Sequence, residues 1–79
     1  MEEYIYCVCK ETYLLGQVVY VRCGIAAAVI EDGVMNVIEH IGDISADEQS
    51  VRQLADRCNR LKLSPTHLRD VVEDFLVER

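Results

Sequence analysis

The sequence predicts an α+β fold: a three-stranded antiparallel meander followed by a two-helix hairpin packed on one sheet face, in the order β-β-β-α-α. Three observations carry that prediction. Residues 4–41 are rich in Val, Ile and Tyr and are punctuated by turn signals at Gly16 and at Asp32-Gly33. The last third carries two apolar stripes at helical spacing. Helix start signals stand in front of both stripes, at Ser45 and at Ser64-Pro65.

Residues 4–14 (YIYCVCKETYL) alternate in size and favour a first strand, and Leu15-Gly16-Gln17 holds the turn. Residues 18–30 (VVYVRCGIAAAVI) predict a long second strand. Its Ala run has helical propensity, but β-branched flanks and a following hairpin signal favour strand. Val19, Val21, Cys23, Ile25, Ala27 and Val29 form a wholly apolar face and are assigned to the core. Val18, Tyr20, Arg22, Gly24, Ala26 and Ala28 form the outer face. Gly24 marks a bulge or a close approach of backbones. Asp32-Gly33 suits a two-residue turn whose central positions take positive φ. Residues 34–41 predict the third strand, with Met35, Val37 and Ile41 inward and an edge position that tolerates polar residues on both faces.

Ser45-Ala-Asp-Glu48 reads as a capping box opening a helix over about 46–62, with Val51, Leu54, Ala55, Cys58 and Leu61 on one face. Glu48 with Arg52 and Asp56 with Arg60 are favourably oriented i,i+4 pairs. Ser64 as cap and Pro65 in the first turn open a second helix over about 65–77, whose stripe is Leu68, Val71, Val72, Phe75 and Leu76. Residues 1–79 read as one domain without repeat or linker.

Of the residues, 51% are hydrophobic, concentrated in 4–44. Three strands under two helices cannot hide them all, so the surplus predicts a homo-oligomer. Net charge is −6 and the pI about 4.7. The basic residues are scattered among acids, which argues against nucleic acid and suits a basic protein partner. The acidic start, Met1-Glu2-Glu3, does not read as a secretion signal. The longest clean apolar run, Ile25–Ile30, is far short of a membrane span. The looser window 12–30 carries Gln17 and Arg22, so no membrane insertion is expected. Four cysteines without a secretion signal fit free thiols and a cytoplasmic location.

The segment Asp43-Ile-Ser-x-Asp47, Val51-x-x-Leu54 and Cys58-Asn-x-Leu61-x-Leu63-Ser-Pro-x-His67-Leu-x-Asp70-Val-Val-Glu-Asp-Phe-Leu76 resembles the C-terminal block of a family of short bacterial proteins of unknown function, associated with Gram-positive anaerobes. The resemblance covers residues 43–76. It implies a cytoplasmic bacterial protein and supplies no activity, cofactor or catalytic residue.

Candidate sites follow from the residues themselves. Cys7 and Cys9 fall on one side of a strand. With Cys23 alongside and His40 nearby, they would make a thiolate metal site, the alternative to packing of small buried side chains. Cys58, His67 and Asp70 have the residue types of a nucleophile, base and acid. However, Cys58 lies on an apolar helix face, which raises its pKa, so no catalytic set is assigned. Arg22 either pairs with Glu39 across the sheet or sits at a subunit interface. Asp70 and Asp74 repel at i,i+4, and Glu73, Asp74 and Glu78 load negative charge on the C-terminal end of the second helix, against its dipole. The exposed acidic face of Asp70, Glu73 and Asp74 suits docking of a basic protein. Val18, Tyr20 and Ala26 form the expected self-association face. The function expected is therefore a non-enzymatic interaction module that self-associates, without a cofactor.

Overall fold

Residues 3–78 are described by a computed structural model. Strands β1 (Glu3–Leu15), β2 (Val18–Glu31) and β3 (Val34–Ser45) form one antiparallel sheet in the order β1-β2-β3. Helices α1 (Glu48–Arg60) and α2 (Leu68–Val77) follow, α2 being entered through a 3₁₀ turn over Pro65–His67. The α+β architecture is the predicted one. Both hairpins turn where the sequence places them: Gly16 takes φ +64°, and Asp32 and Gly33 take +53° and +78°.

β1 and β2 pair one-to-one from Glu3↔Ile30 to Leu15↔Val18 without a bulge. β3 is different. Its register against β2 slips at Ile38, between the pairs Ala28↔Val37 and Ala27↔Glu39, and again between Ile25↔Ile41 and Cys23↔Ser45. A single inserted residue moves every later side chain to the other face. Met35 and Val37, expected inward, are therefore exposed with the outer-face residues Ile30 and Ala28 beside them, whereas Ile41 packs on the core. β3 also continues to Ser45, past the expected end near residue 41, which brings Ile44 into the core.

The cap of α1 is Asp47 rather than Ser45, and the helix begins at Glu48. Asp47 accepts from the Ser50 amide at 3.4 Å and from the Ser50 hydroxyl at 2.6 Å, while the Ser45 hydroxyl accepts from the Asp47 amide at 3.0 Å. Glu48 does not reach back to close a box. It is held by Lys10 at 2.5 Å and Arg52 at 2.7 Å, and those bonds keep its carboxyl below the usual range. The far end closes in a Schellman turn. Lys62 takes φ +51°, its amide donates to Asn59 O at 3.2 Å, and the Leu63 amide donates to Cys58 O at 3.1 Å.

The core lies between the middle of the sheet and the helices. Tyr6, Cys23, Ile25, Ala27 and Ile44 meet Val51, Leu54, Ala55, Cys58, Leu68 and Val72. Val19 and Val21, assigned to that face, remain exposed. The reason is length. The thirteen residues of β1 span about 43 Å at strand rise, whereas the thirteen of α1 span about 20 Å at helical rise. The sheet therefore overhangs its helices. The molecule measures 47 × 29 × 18 Å. Its radius of gyration, 13.4 Å, exceeds the roughly 11.6 Å of a compact chain of this length.

Candidate functional site

The overhang is the β1–β2 hairpin, residues 12–21. On its outer face stand Tyr13, Leu15, Val18 and Tyr20, and on its helix-side face Leu14, Val19 and Val21. All are exposed, Leu14 and Leu15 at 71% and Val19 at 60%. A solvated sheet normally keeps one polar face. This hairpin is apolar on both. A second exposed apolar stretch runs along the first half of β3, through Val34, Met35, Val37 and Ile38.

Next to the hairpin, the outer face holds a polar group on a glycine floor. Gly24 stands where the backbones of β2 and β3 close together. A Cβ there would overlap the Ile41 carbonyl oxygen and lie 2.8 Å from Gly42 Cα. With no side chain at Gly24 or Gly42, Glu11 of β1 reaches toward β3, and its Oε1 comes within 3.5 Å of His40 Nε2. That oxygen is buried and accepts no hydrogen bond. Its partner Oε2 accepts from the Tyr13 hydroxyl at 3.0 Å, which holds the Tyr13 pKa above its usual value. Arg22 pairs with Asp43. Glu39, the partner weighed from sequence, lies opposite Ala27 on the helix side and cannot serve.

The free edge of β1 is guarded at one point. The Asn59 side chain lies against Tyr6 like a residue of a fourth strand. Tyr6 N donates to Asn59 Oδ1 at 2.8 Å, and Asn59 Nδ2 donates to Tyr6 O at 2.9 Å. The Tyr6 hydroxyl crosses the core and donates to the Leu63 carbonyl presented by the Schellman turn. Burial, with Cys58 and Tyr4 adding to it, pushes the Tyr6 pKa up to about 12. Between the helices lies an open cleft of about 620 Å³, floored by Leu54 and Phe75 and rimmed by Asp56, Arg57, Arg60 and Glu78.

The family of unknown function designated DUF6514 matches residues 2–78, taking in the three strands as well as the C-terminal segment that carries the resemblance. The chain belongs to it. No curated protein and no solved structure matches significantly.

Of the residues singled out from sequence, this DUF6514 chain exposes Val18 and Tyr20 on the outer face of the hairpin. Ala26 is buried between its strand neighbours and adds no surface. Asp70, Glu73 and Asp74 are exposed on α2. The proposed thiolate set is broken by the sheet itself. Cys7 and Cys9 lie opposite Ala26 and Gly24 on the outer face, whereas Cys23 lies opposite Lys10 on the helix side, sealed in the core. Among the described residues no three His, Cys, Asp or Glu side chains are grouped to hold a metal. The four thiols are free. Burial pushes those of Cys9 and Cys58 upward in pKa. Cys58 is enclosed, and His67 is exposed. Among the described residues no helix is long and apolar enough to cross a membrane. Sequence reasoning missed two features of this DUF6514 fold: the exposure of the hairpin's apolar helix-side face and the Asn59 guard.

Proposed function

We propose that this chain is a non-enzymatic interaction module that associates with a second copy of itself through the β1–β2 hairpin. The observation that carries the reading is a hairpin apolar on both faces, standing clear of the helices. Its seven large apolar side chains are each 41–71% exposed, the kind of contiguous apolar surface that marks an association site. The total accessible surface, 5626 Å², exceeds the roughly 4,900 Å² expected of a compact monomer of this mass.

Sedimentation or native mass spectrometry across micromolar concentrations tests the reading, with Leu14→Lys and Leu15→Lys placing one charge on each face of β1. The expected result is a dimer that the double variant converts to a monomer. Measured at dilutions where the wild type is itself monomeric, its unfolding free energy should move by less than about 0.5 kcal/mol, because both positions are already exposed. A wild-type chain monomeric at every concentration removes the proposal.

The same reading assigns Asp70, Glu73 and Asp74 as the face shown to a basic protein partner, supported by three exposed carboxylates on one short helix. A basic protein that binds the wild type should lose at least tenfold in affinity to Asp70→Lys with Asp74→Lys, and more at low salt. Equal binding by both forms defeats this assignment. Four free thiols support a reducing compartment, the cytoplasm, as the place of action.

A further inference from the structure

The unguarded part of the β1 edge indicates how two copies join, an inference that rests on the self-association proposed above. Tyr6 turns its N–H and C=O off the sheet, toward Asn59. β1 pairs with β2 without a bulge, so the backbone groups of Val8, Lys10, Thr12 and Leu14 also face off the sheet. α1 follows β1 from Tyr6, held by Asn59, to Lys10, held by Glu48, and there the helix begins. Beyond it, Thr12 and Leu14 present unpaired backbone groups on a straight strand.

Proteins protect such edges with bulges, prolines, outward charges or a covering element. The other edge of this sheet, β3, carries two register breaks. At residues 12–15 β1 has no bulge, no proline and no charge. The two side-chain faces there are apolar, so a strand added at this edge gains ladder hydrogen bonds and side-chain packing together.

We infer that two copies pair β1 with β1 in antiparallel fashion over residues 11–15, Tyr13 opposite its own copy and Thr12 opposite Leu14, about a twofold axis normal to the sheet, so that two three-stranded sheets become one of six strands. Antiparallel pairing of a segment with its own copy is the edge contact that closes under twofold symmetry. It brings the two apolar hairpins side by side and keeps each pair of helices on the same face of the joined sheet.

Residue-resolved amide hydrogen exchange on the associated protein tests this, together with Thr12→Pro. The Thr12 amide faces off the sheet, so proline there removes no bond to β2 and suits an edge strand. Expected are Thr12 and Leu14 amides slowed on the order of a hundredfold in the dimer relative to diluted monomer. A Thr12→Pro chain should be folded by circular dichroism and monomeric, while Thr12→Val stays dimeric. A dimer whose Thr12 and Leu14 amides exchange as fast as in the monomer overturns the edge pairing and leaves self-association standing through another surface. So does a folded, dimeric Thr12→Pro chain. If Thr12→Pro fails to fold, the exchange data on the wild type decide alone. A wild type that never dimerises overturns both proposals.

Discussion

Replacing Gly24 by alanine is expected to destabilise the fold by about 2–4 kcal/mol, at the upper end of overpacking losses. The added methyl would overlap the Ile41 carbonyl oxygen and crowd Gly42 Cα. Both are backbone atoms of the neighbouring strand, so neither can swing aside. The strands must part where β3 bends toward α1, at a point that sets the placement of Ile44 in the core. Gly42→Ala is the internal control. Its methyl would meet Glu11 Oε1 at 2.6 Å, the far end of a half-buried but flexible side chain that can rotate away. Denaturant unfolding at one fixed protein concentration should rank the two variants clearly, with Gly42→Ala within about 1 kcal/mol of wild type. Equal losses for both would show that the β2–β3 approach is softer than its geometry indicates. For a chain of 79 residues with total stability of roughly 4–12 kcal/mol, the Gly24→Ala loss lowers the melting temperature by about 10–30 °C.

Removing the Asn59 side chain has an effect of similar size through different physics. Asn59→Ala leaves a half-enclosed amide and carbonyl of Tyr6 without partners, and each orphaned group costs about 1–3 kcal/mol. Asn59→Asp separates the two bonds. The carboxylate still accepts from Tyr6 N, but it has no proton to give Tyr6 O, so a loss of roughly half that of the alanine variant is expected. The Tyr6 hydroxyl supplies an independent readout. Its folded pKa of about 12 lies above its unfolded value near 10.0. The neutral phenol, donating to Leu63, therefore contributes stability that is fully present below pH 10 and is lost as pH rises toward 12. Wild-type unfolding should steepen across that window, and Tyr6→Phe, weaker at neutral pH, should lose that part of the slope. A wild-type profile matching Tyr6→Phe from pH 10 to 12 would remove the Tyr6–Leu63 bond from the account.

How much was legible from sequence depends on which physics is local. The helices were, because cap residues and apolar spacing act within a few residues of one another. Even there Asp47 took the cap from Ser45, since β3 runs on through Ser45 and leaves its hydroxyl for the turn. The meander and Gly24 were legible through turn chemistry and the missing Cβ. The faces of β3 were not. Alternation assumes an unbroken pleat, and the extra residue at Ile38 moves Met35 and Val37 from one side to the other with no mark in composition. Asn59 was invisible for another reason: its partner is 53 positions away, and an amide on a helix looks like ordinary surface. The hairpin overhang was legible in principle. Two strands of thirteen or fourteen residues beside helices of thirteen and ten cannot be equally long in space, so Val19 and Val21 had nothing to pack against.

The side-chain guard on β1 also bears on the order in which the molecule assembles. The hairpin closes over two residues at Gly16-Gln17, whereas the contact between Tyr6 and Asn59 must span most of the chain and carries the larger closure entropy. The meander should therefore be in register before α1 arrives, with the edge of β1 bare along its whole length in the interim. If so, Asn59 acts after the rate-limiting step. Its loss should fall on the unfolding rate, raised about thirtyfold for each 2 kcal/mol removed, with refolding left nearly unchanged. A refolding rate that drops with Asn59→Ala would instead place α1 docking inside the nucleus. On the first outcome, the guard sets how long a folded chain lasts and leaves the speed of folding to the strands.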